Sequence, residues 1–294
     1  MRTVLRELLD LLTLERIEEN LFRGQSQDLG WGQIFGGQVL GQALSAAVQT
    51  VPSDRAPHSL HAYFLRVGDA KRPVVYQVDP IRNGKSFTTR RVVAIQGGQA
   101  ILNMSASFQV QELGLEHQST PHPAPPPDEL LSEHDLARRF AGHLPPALVA
   151  RATAERPIEI RPIDPLNPVN PGVCGPSRQA WFRAIDRMPE DPSAHRYLLA
   201  YASDFHFLTT AMQPHGVSWL TPGMQVASLD HAMWFHRPVR MDEWLLYEVE
   251  SPSAVGARGL VQGRFYTQDG ILVASTAQEG LIRKRDPRNQ GQNS

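Results

Sequence analysis

The chain repeats itself. The segment His58 to Asp69, H-S-L-H-A-Y-F-L-R-V-G-D, parallels Leu229 to Arg240, L-D-H-A-M-W-F-H-R-P-V-R. An offset of 171 residues lays Phe64 on Phe235, Arg66 on Arg237, Tyr76 on Tyr247 and Val78 on Val249. An offset of 170 lays Ile101, Leu102 and Ser105 on Ile271, Leu272 and Ser275, as a hairpin shortened by one residue would produce. The fold must therefore be built from two similar units in one chain of 294 residues.

Each copy reads as an apolar helix followed by strands. In the first, F-G-G-Q-V-L-G-Q-A-L-S-A-A-V is helical, and strands start near Ser59, Val74, Thr88 and Ala100. Asn83-Gly84 and Gly97-Gly98 are expected to supply the positive φ of tight hairpins. In the second copy a strand over Arg178 to Ala184 comes first. Asp191 and Pro192 then cap a helix through H-R-Y-L-L-A-Y-A-S-D-F-H-F-L, and strands start near Gln225, Trp244, Gly259 and Ile271, with Asp269-Gly270 as a turn. A long apolar helix followed by antiparallel strands must bury itself against the sheet, which makes the class α+β.

The ends and the middle differ in character. Val4, Leu5, Leu8, Leu11 and Leu12 recur at helical spacing, so the N-terminus is expected to be a short amphipathic helix rather than a leader. Residues 112–170 form a Pro-rich linker, with one helix expected near Glu129 to Ala141. The units then run 1–111 and 171–285, and the polar stretch 286–294 is expected to be disordered.

Composition excludes several classes. Lys plus Arg number 29 against 30 Asp plus Glu, so no basic field invites nucleic acid or an anionic membrane, and no apolar run approaches a membrane span. Cys174, the single cysteine, cannot form an internal disulfide, which fits a reducing, cytoplasmic setting; in P-G-V-C-G-P it reads as an inert loop residue. A nucleophile elbow G-x-S-x-G, a Walker loop and H-E-x-x-H are absent, and G-W-G-Q-I-F lacks the last glycine of a dinucleotide fingerprint. His231 and His236 are five apart and face opposite sides of a strand, as do His58 and His61, so a metal site is not expected; they read as structural or hydrogen-bonding, with His58 a second candidate for a role near a site but outside the catalytic set. No cofactor is implied.

With G-Q-S-Q-D-L-G, F-G-G-Q-V-L-G-Q-A-L, Y-A-S-D and D-H-A-M-W-F-H-R-P as landmarks, the chain resembles the bacterial acyl-CoA thioesterase II family from its N-terminal helix to about Arg283. The resemblance implies a double hotdog fold and hydrolysis of a fatty acyl-CoA to CoA and the free acid by an activated water. It also implies a homotetramer or a dimer of double hotdogs. The family's reaction centre, carried over, falls on Asp204 of Y-A-S-D, Ser228 before D-H, and Gln278 of S-T-A-Q-E-G. Many relatives carry Thr where Ser228 stands. Asp204 would be the general base, Ser228 would hold the water, and Gln278 would donate to it or position the thioester.

The residues themselves leave two readings of Asp204. It is either a buried carboxylate in an apolar stretch or a member of the helix's exposed stripe, and the resemblance favours the first. Gln278 aligns with Phe108 at an offset of 170, so one centre per duplicated chain is expected. Gly36, Gly37 and Gly41 serve either close helix packing or amides that polarise the thioester carbonyl. Arg82, Lys85, Arg90, Arg91, Arg258 and Arg264 are candidates for CoA phosphates. The rival enzyme is a hotdog hydratase, which needs an acid beside a histidine. His206, two positions from Asp204, would lie roughly opposite it on a continuous helix. A non-catalytic acyl-CoA-binding protein is the other alternative.

Overall fold

The computed structural model describes residues 1–143 and 146–285; the tail expected to be disordered, 286–294, lies outside the described residues. The first unit contains helix α1 (Thr3–Leu12), strands β1 (Glu15–Glu18) and β2 (Leu21–Gly24), helix α2 (Gly36–Val48), and strands β3 (Arg55–Phe64), β4 (Val74–Asn83), β5 (Phe87–Gln96) and β6 (Gln99–Val110). A connecting region follows with α3 (Glu133–Arg139), α4 (Pro146–Ala152) and β7 (Ile158–Pro162). The second unit continues with β8 (Ser177–Ala184), α5 (Pro192–Ser203), α6 (Phe207–Met212), β9 (Met224–Ser228), β10 (Asp230–Phe235), β11 (Leu245–Val255), β12 (Arg258–Thr267) and β13 (Leu272–Lys284).

One antiparallel sheet runs through both units in the order β1-β2-β4-β5-β6-β3-β10-β13-β12-β11-β8-β7, with β9 paired to β13. The halves join where β3 pairs with β10, from Asp230 opposite Tyr63 to Trp234 opposite Ser59. Inward positions alternate along each strand, as in β6, where Leu102, Met104, Ala106 and Phe108 are buried. Against this inner face lies α2, buried from Gly37 to Ala47. Its polar members are satisfied: Tyr76 Oη donates to Gln42 Oε1 at 2.6 Å, and Gln42 Nε2 donates to the carbonyls of Leu11 and Gln25. Leu5, Leu8 and Leu12 of α1 close the core, each contributing roughly 1.5–3 kcal/mol of burial.

The two helices α2 and α5 pack antiparallel at glycine distance. A Cβ on Gly37 would lie 2.2 Å from the carbonyl oxygen of Tyr201, and one on Gly41 would lie 3.0 Å from that of Tyr197. Close packing is thus what these glycines provide.

Four details depart from the sequence reading. The register places Arg90 opposite Ala106 and its counterpart Val261, 171 residues on, opposite Gln278, so β6 and β13 are offset by 172. The second hairpin is longer, not shorter, and Gln278 corresponds to Ala106 rather than Phe108. Gly84 is not among the positive-φ residues, unlike Gly97 and Gly98. It is needed because a Cβ there would meet the Phe87 carbonyl oxygen at 2.6 Å.

The connecting region is also more than an irregular path. β7 completes the second half's edge against β8, and α4 joins α3. The proline stretch crosses the sheet face opposite the helices and covers Trp181, Trp244, Leu246, Tyr266 and Leu272. It is fastened there by Trp181 Nε1 donating to the Pro125 carbonyl (2.9 Å) and by the His122 amide donating to Glu248 Oε1 (2.6 Å).

Finally, the helix predicted through Leu208 breaks after Ser203. His206 adopts the left-handed region (φ 69°), at a cost of about 1–3 kcal/mol. Its Nε2 lies 3.2 Å from Glu133 Oε1 on α3, and its ring meets Phe182 edge to face.

Candidate active site

Asp204 caps the C-terminal end of α5, and the break that follows leaves its carboxylate beside the first turn of α2 rather than on a helix stripe. The Gly37 amide donates to Asp204 Oδ2 at 3.0 Å. First-turn amides have no partner inside their own helix, so an anion is the natural acceptor. A Cβ on Gly36 would stand 2.6 Å from the same oxygen, which is why this position takes glycine. The amide of Gly37 is therefore engaged by Asp204 rather than open to a substrate carbonyl.

Gln278 reaches the carboxylate from the sheet. Its Nε2 donates to Ser228 Oγ at 2.7 Å, and its amide favours the ionised form of the Asp204 carboxylate. Strand pairing makes this contact possible, because Ser228 at the end of β9 sits opposite Gly280, two residues from Gln278 on β13. The three residues named from the sequence are thus brought together, at the junction of the two halves. Burial pushes the Asp204 carboxyl up to about 7, with the Gln278 and Gly37 hydrogen bonds opposing it. Tyr201 and Tyr247 feel the Asp204 charge; burial, their larger perturbation, raises both phenols, so they stay neutral.

The sequence reads His231 as structural or hydrogen-bonding without naming its partners, and the structure supplies them. The ring is buried on the inner face of β10, with Nδ1 2.6 Å from Gln278 Oε1 and Nε2 2.9 Å from Ser203 Oγ. Tyr247 adds a second tie, its hydroxyl donating to the Ser203 carbonyl at 3.0 Å. Only the D-H pair next to Ser228 hinted at this in the sequence.

The first half holds no matching set. Carrying the register back, Ser228, His231 and Gln278 correspond to Pro57, Leu60 and Ala106. His58 stands at the β3 bulge with Ser107 and Phe87, six residues or about 20 Å along the strand from Phe64, the residue that lies against Gly36. His206 faces Glu133, so the acid–histidine pair of a hydratase is not assembled at Asp204. The helical angle that separated these two residues in the sequence does not apply across the break.

The candidate phosphate cations fare differently. Arg90 is buried and spent on Thr50 and the carbonyls of Arg82 and Thr89. Arg91, Arg258 and Arg264 pair with Asp79, Glu279 and Glu250. Arg82 and Lys85 flank the β4–β5 turn, which Arg55 holds at the opposite end of β3 from Phe64, about 30 Å away. Arg258 and Arg264 are the two of the six beside the reaction-centre strand, paired with Leu281 and Ser275 on either side of Gln278.

Comparison with known proteins identifies the family and the fold. Residues 148–281 match the acyl-CoA thioesterase family model, and residues 26–109 match that of the acyl-CoA thioesterase N-terminal domain. Acyl-CoA thioesterase 2 of Haemophilus influenzae is 46% identical over 283 residues, covering 96% of this chain and 99% of that protein. The crystal structure of an acyl-CoA thioesterase II from Mycobacterium marinum superposes with a TM-score of 0.76 at 42% identity, over 95% of this chain and 99% of that one. A hot dog fold protein from Alicyclobacillus acidocaldarius, 19% identical, shares the fold at a TM-score of 0.75 over 95% and 99% of the two chains. With a helix-wrapping sheet in each half and full-length identity of this order, the chain belongs to the acyl-CoA thioesterase II family and is a thioester hydrolase of double hotdog fold.

Proposed function

We propose that the chain hydrolyses fatty acyl-CoA to CoA and the free acid by attack of a water that Asp204 deprotonates. The observation carrying this reading is a carboxylate held by the Gly37 amide at the junction of the halves, beside the Gln278–Ser228 pair, where burial pushes its pKa up to about 7. A base poised near the working pH combines the correct charge state with a strong pull on the proton. Asp204 takes a proton as the water oxygen bonds to the thioester carbon. Collapse of the tetrahedral adduct breaks the C–S bond, and the departing thiolate regains the proton from Asp204. Ser228 Oγ accepts from Gln278, so its own hydrogen is free to orient the water or the carbonyl.

The test is release of CoA thiol and free acid by wild type and Asp204→Asn. Loss of about 10²–10⁴ in kcat is expected for a missing general base. Turnover at the wild-type rate refutes the role of Asp204, thiol release without free acid signals acyl transfer, and hydration of an enoyl-CoA without thiol release signals the hydratase. A homotetramer or a dimer of double hotdogs is proposed as the working assembly, supported by the exposed side chains of Tyr63, Leu113 and Leu115; light scattering that returns a monomer refutes it. A cytoplasmic location is proposed on the single, exposed, unpaired Cys174. Among the described residues no helix is long and apolar enough to cross a membrane.

A further inference from the structure

Behind the carboxylate, three side chains stand in series: Gln278, His231 and Ser203, exposed by 1%, 1% and 0%. A primary amide turned by 180° exchanges its oxygen and nitrogen with almost no change of shape, so something must choose which end of Gln278 faces Asp204. The observed setting has Nε2 donate to Ser228 Oγ and Oε1 face His231 Nδ1 at 2.6 Å, and it is the N–H₂ end that can favour an ionised Asp204. The turned setting would press the amide oxygen against the carboxylate.

Hydrogen counting shows what selects between them. Gln278 Oε1 only accepts, so the Nδ1 facing it must carry a hydrogen. In a neutral ring Nε2 is then bare and must itself accept. The group it faces is the Ser203 hydroxyl, at 2.9 Å, whose single hydrogen has a competing acceptor in the Ala200 carbonyl, also at 2.9 Å. If Ser203 donates to His231, the ring is the Nδ1–H tautomer and the amide offers both its hydrogens forward. If Ser203 donates to Ala200, the ring becomes Nε2–H and only the turned amide suits it.

We propose that His231, backed by Ser203, is a positioning residue that locks the Gln278 amide with its N–H face towards Asp204 and Ser228, keeping the base ionisable at working pH. This rests on the reading of Asp204 as the base. Two further observations bear on it. Burial drives the His231 pKa down to about 4, partly opposed by the Gln278 bond, so the ring is neutral and its tautomer is the operative variable. In the first half, the ring and the amide are both gone, replaced at the corresponding positions by Leu60 and Ala106.

The surroundings leave Gln278 as the adjustable side-chain contact of Asp204. Facing that carboxylate are the neutral phenols of Tyr201 from α5 and Tyr247 from β11, the Gly37 amide from α2, and Gln278 from β13. Arg156 acts on Tyr201, and Glu133 is turned to His206.

The experiment measures kcat and KM against pH for wild type, His231→Leu, His231→Asn, Ser203→Ala and Asp204→Asn. Leucine keeps the bulk and removes the donor; asparagine restores an N–H near the place of Nδ1. His231→Leu should lose roughly 10–100-fold in kcat with little change in KM, and the acid limb of kcat/KM should move up by about one pH unit, the size of one charge-assisted hydrogen bond. His231→Asn should recover most of the rate and return the limb, while Ser203→Ala should shift it in the same direction by less. An unmoved limb in His231→Leu, or equal loss in the Leu and Asn variants, overturns the proposal. Normal turnover of Asp204→Asn would instead sink the assignment of the base. Should His231→Leu fail to fold, the ¹⁵N imidazole spectrum of wild type decides: Nδ1–H at His231 supports the lock, and Nε2–H refutes it.

Discussion

Replacing Asp204 by asparagine should make the protein more stable as the solution becomes more alkaline. The folded carboxyl titrates at about 7, because burial outweighs the Gln278 and Gly37 hydrogen bonds, whereas an unfolded aspartate titrates near ~3.9. A raised folded value means the favourable state is the protonated one. Its contribution is complete below the unfolded pKa and is lost as pH rises through the folded one. Integrating between the two values, the ionisation penalty is about 1.5 kcal/mol at about pH 5 and about 4 kcal/mol at about pH 8.5. The substituted amide would keep an oxygen for the Gly37 N–H but set its own N–H₂ against that of Gln278, at a cost of about 1–3 kcal/mol that does not vary with pH. The informative quantity is therefore the difference of differences: urea unfolding of both proteins at the two pH values should show the variant gaining about 2.5 kcal/mol on wild type between them. Residual exposure of the carboxylate makes that figure a ceiling. A gap that stays constant within about 0.5 kcal/mol, or moves the other way, would refute the claim that burial of Asp204 sets its pKa.

Three further outcomes follow from contacts already described. Gly37→Ala forces a Cβ to within 2.2 Å of the Tyr201 carbonyl, so α2 and α5 must separate. A loss of about 1–3 kcal/mol in denaturant unfolding, with reduced kcat as the Asp204–amide bond opens, is expected. Ser228→Ala should lower kcat by about tenfold, one neutral hydrogen bond's worth, while Ser228→Thr keeps it. Because Ser228 bonds Gln278 and not Asp204, the acid limb of the Ala variant should stay where it is. Glu248→Ala strands the His122 amide and Gln179 Nε2, which both donate to Glu248 Oε1. The proline strap should loosen over Trp181 and Tyr266, seen as a lower urea midpoint, by about 1–3 kcal/mol, and as increased binding of a hydrophobic dye.

The sequence carried the fold further than the site. Phe64 and Phe235, or Tyr76 and Tyr247, keep their offset of 171 because paired strands conserve the inward face. Sequence alignment of the copies places β13 two residues away from its structural register with β6, and the reason is physical. A two-residue slip returns every side chain to the same face, so hydrophobic alternation cannot detect it. β7 escaped notice because Pro162 argues against a central strand, yet an edge strand tolerates it. The break after Ser203 has neither Gly nor Pro to announce it. His206 is held in its left-handed conformation by Glu133 and Phe182, contacts that exist only once the chain is folded. Likewise, nothing local separates His231 from an ordinary core histidine. Its meaning comes from Gln278, 47 positions away, and from a register that had to be seen.

Duplication also explains why a single centre suffices. The first half contributes its α2 amide and its glycines to Asp204, so both units are needed for the one site. A second centre, related to the first by the pseudo-twofold between the halves, would require another buried carboxylate costing about 4 kcal/mol at alkaline pH, set against a typical net stability of only about 5–15 kcal/mol. It would also require a further buried amide and imidazole, each costly unless fully hydrogen-bonded. Pro57, Leu60 and Ala106 avoid those costs while preserving the inward packing of β3 and β6. Leu60 and Ala106 are in fact 0% and 1% exposed within the same core that Leu40 and Leu44 of α2 fill. The asymmetry is thus a division of labour in one sheet: one half is packed for stability, and the other carries a strained helix end and a buried polar chain that only the first half's helix completes.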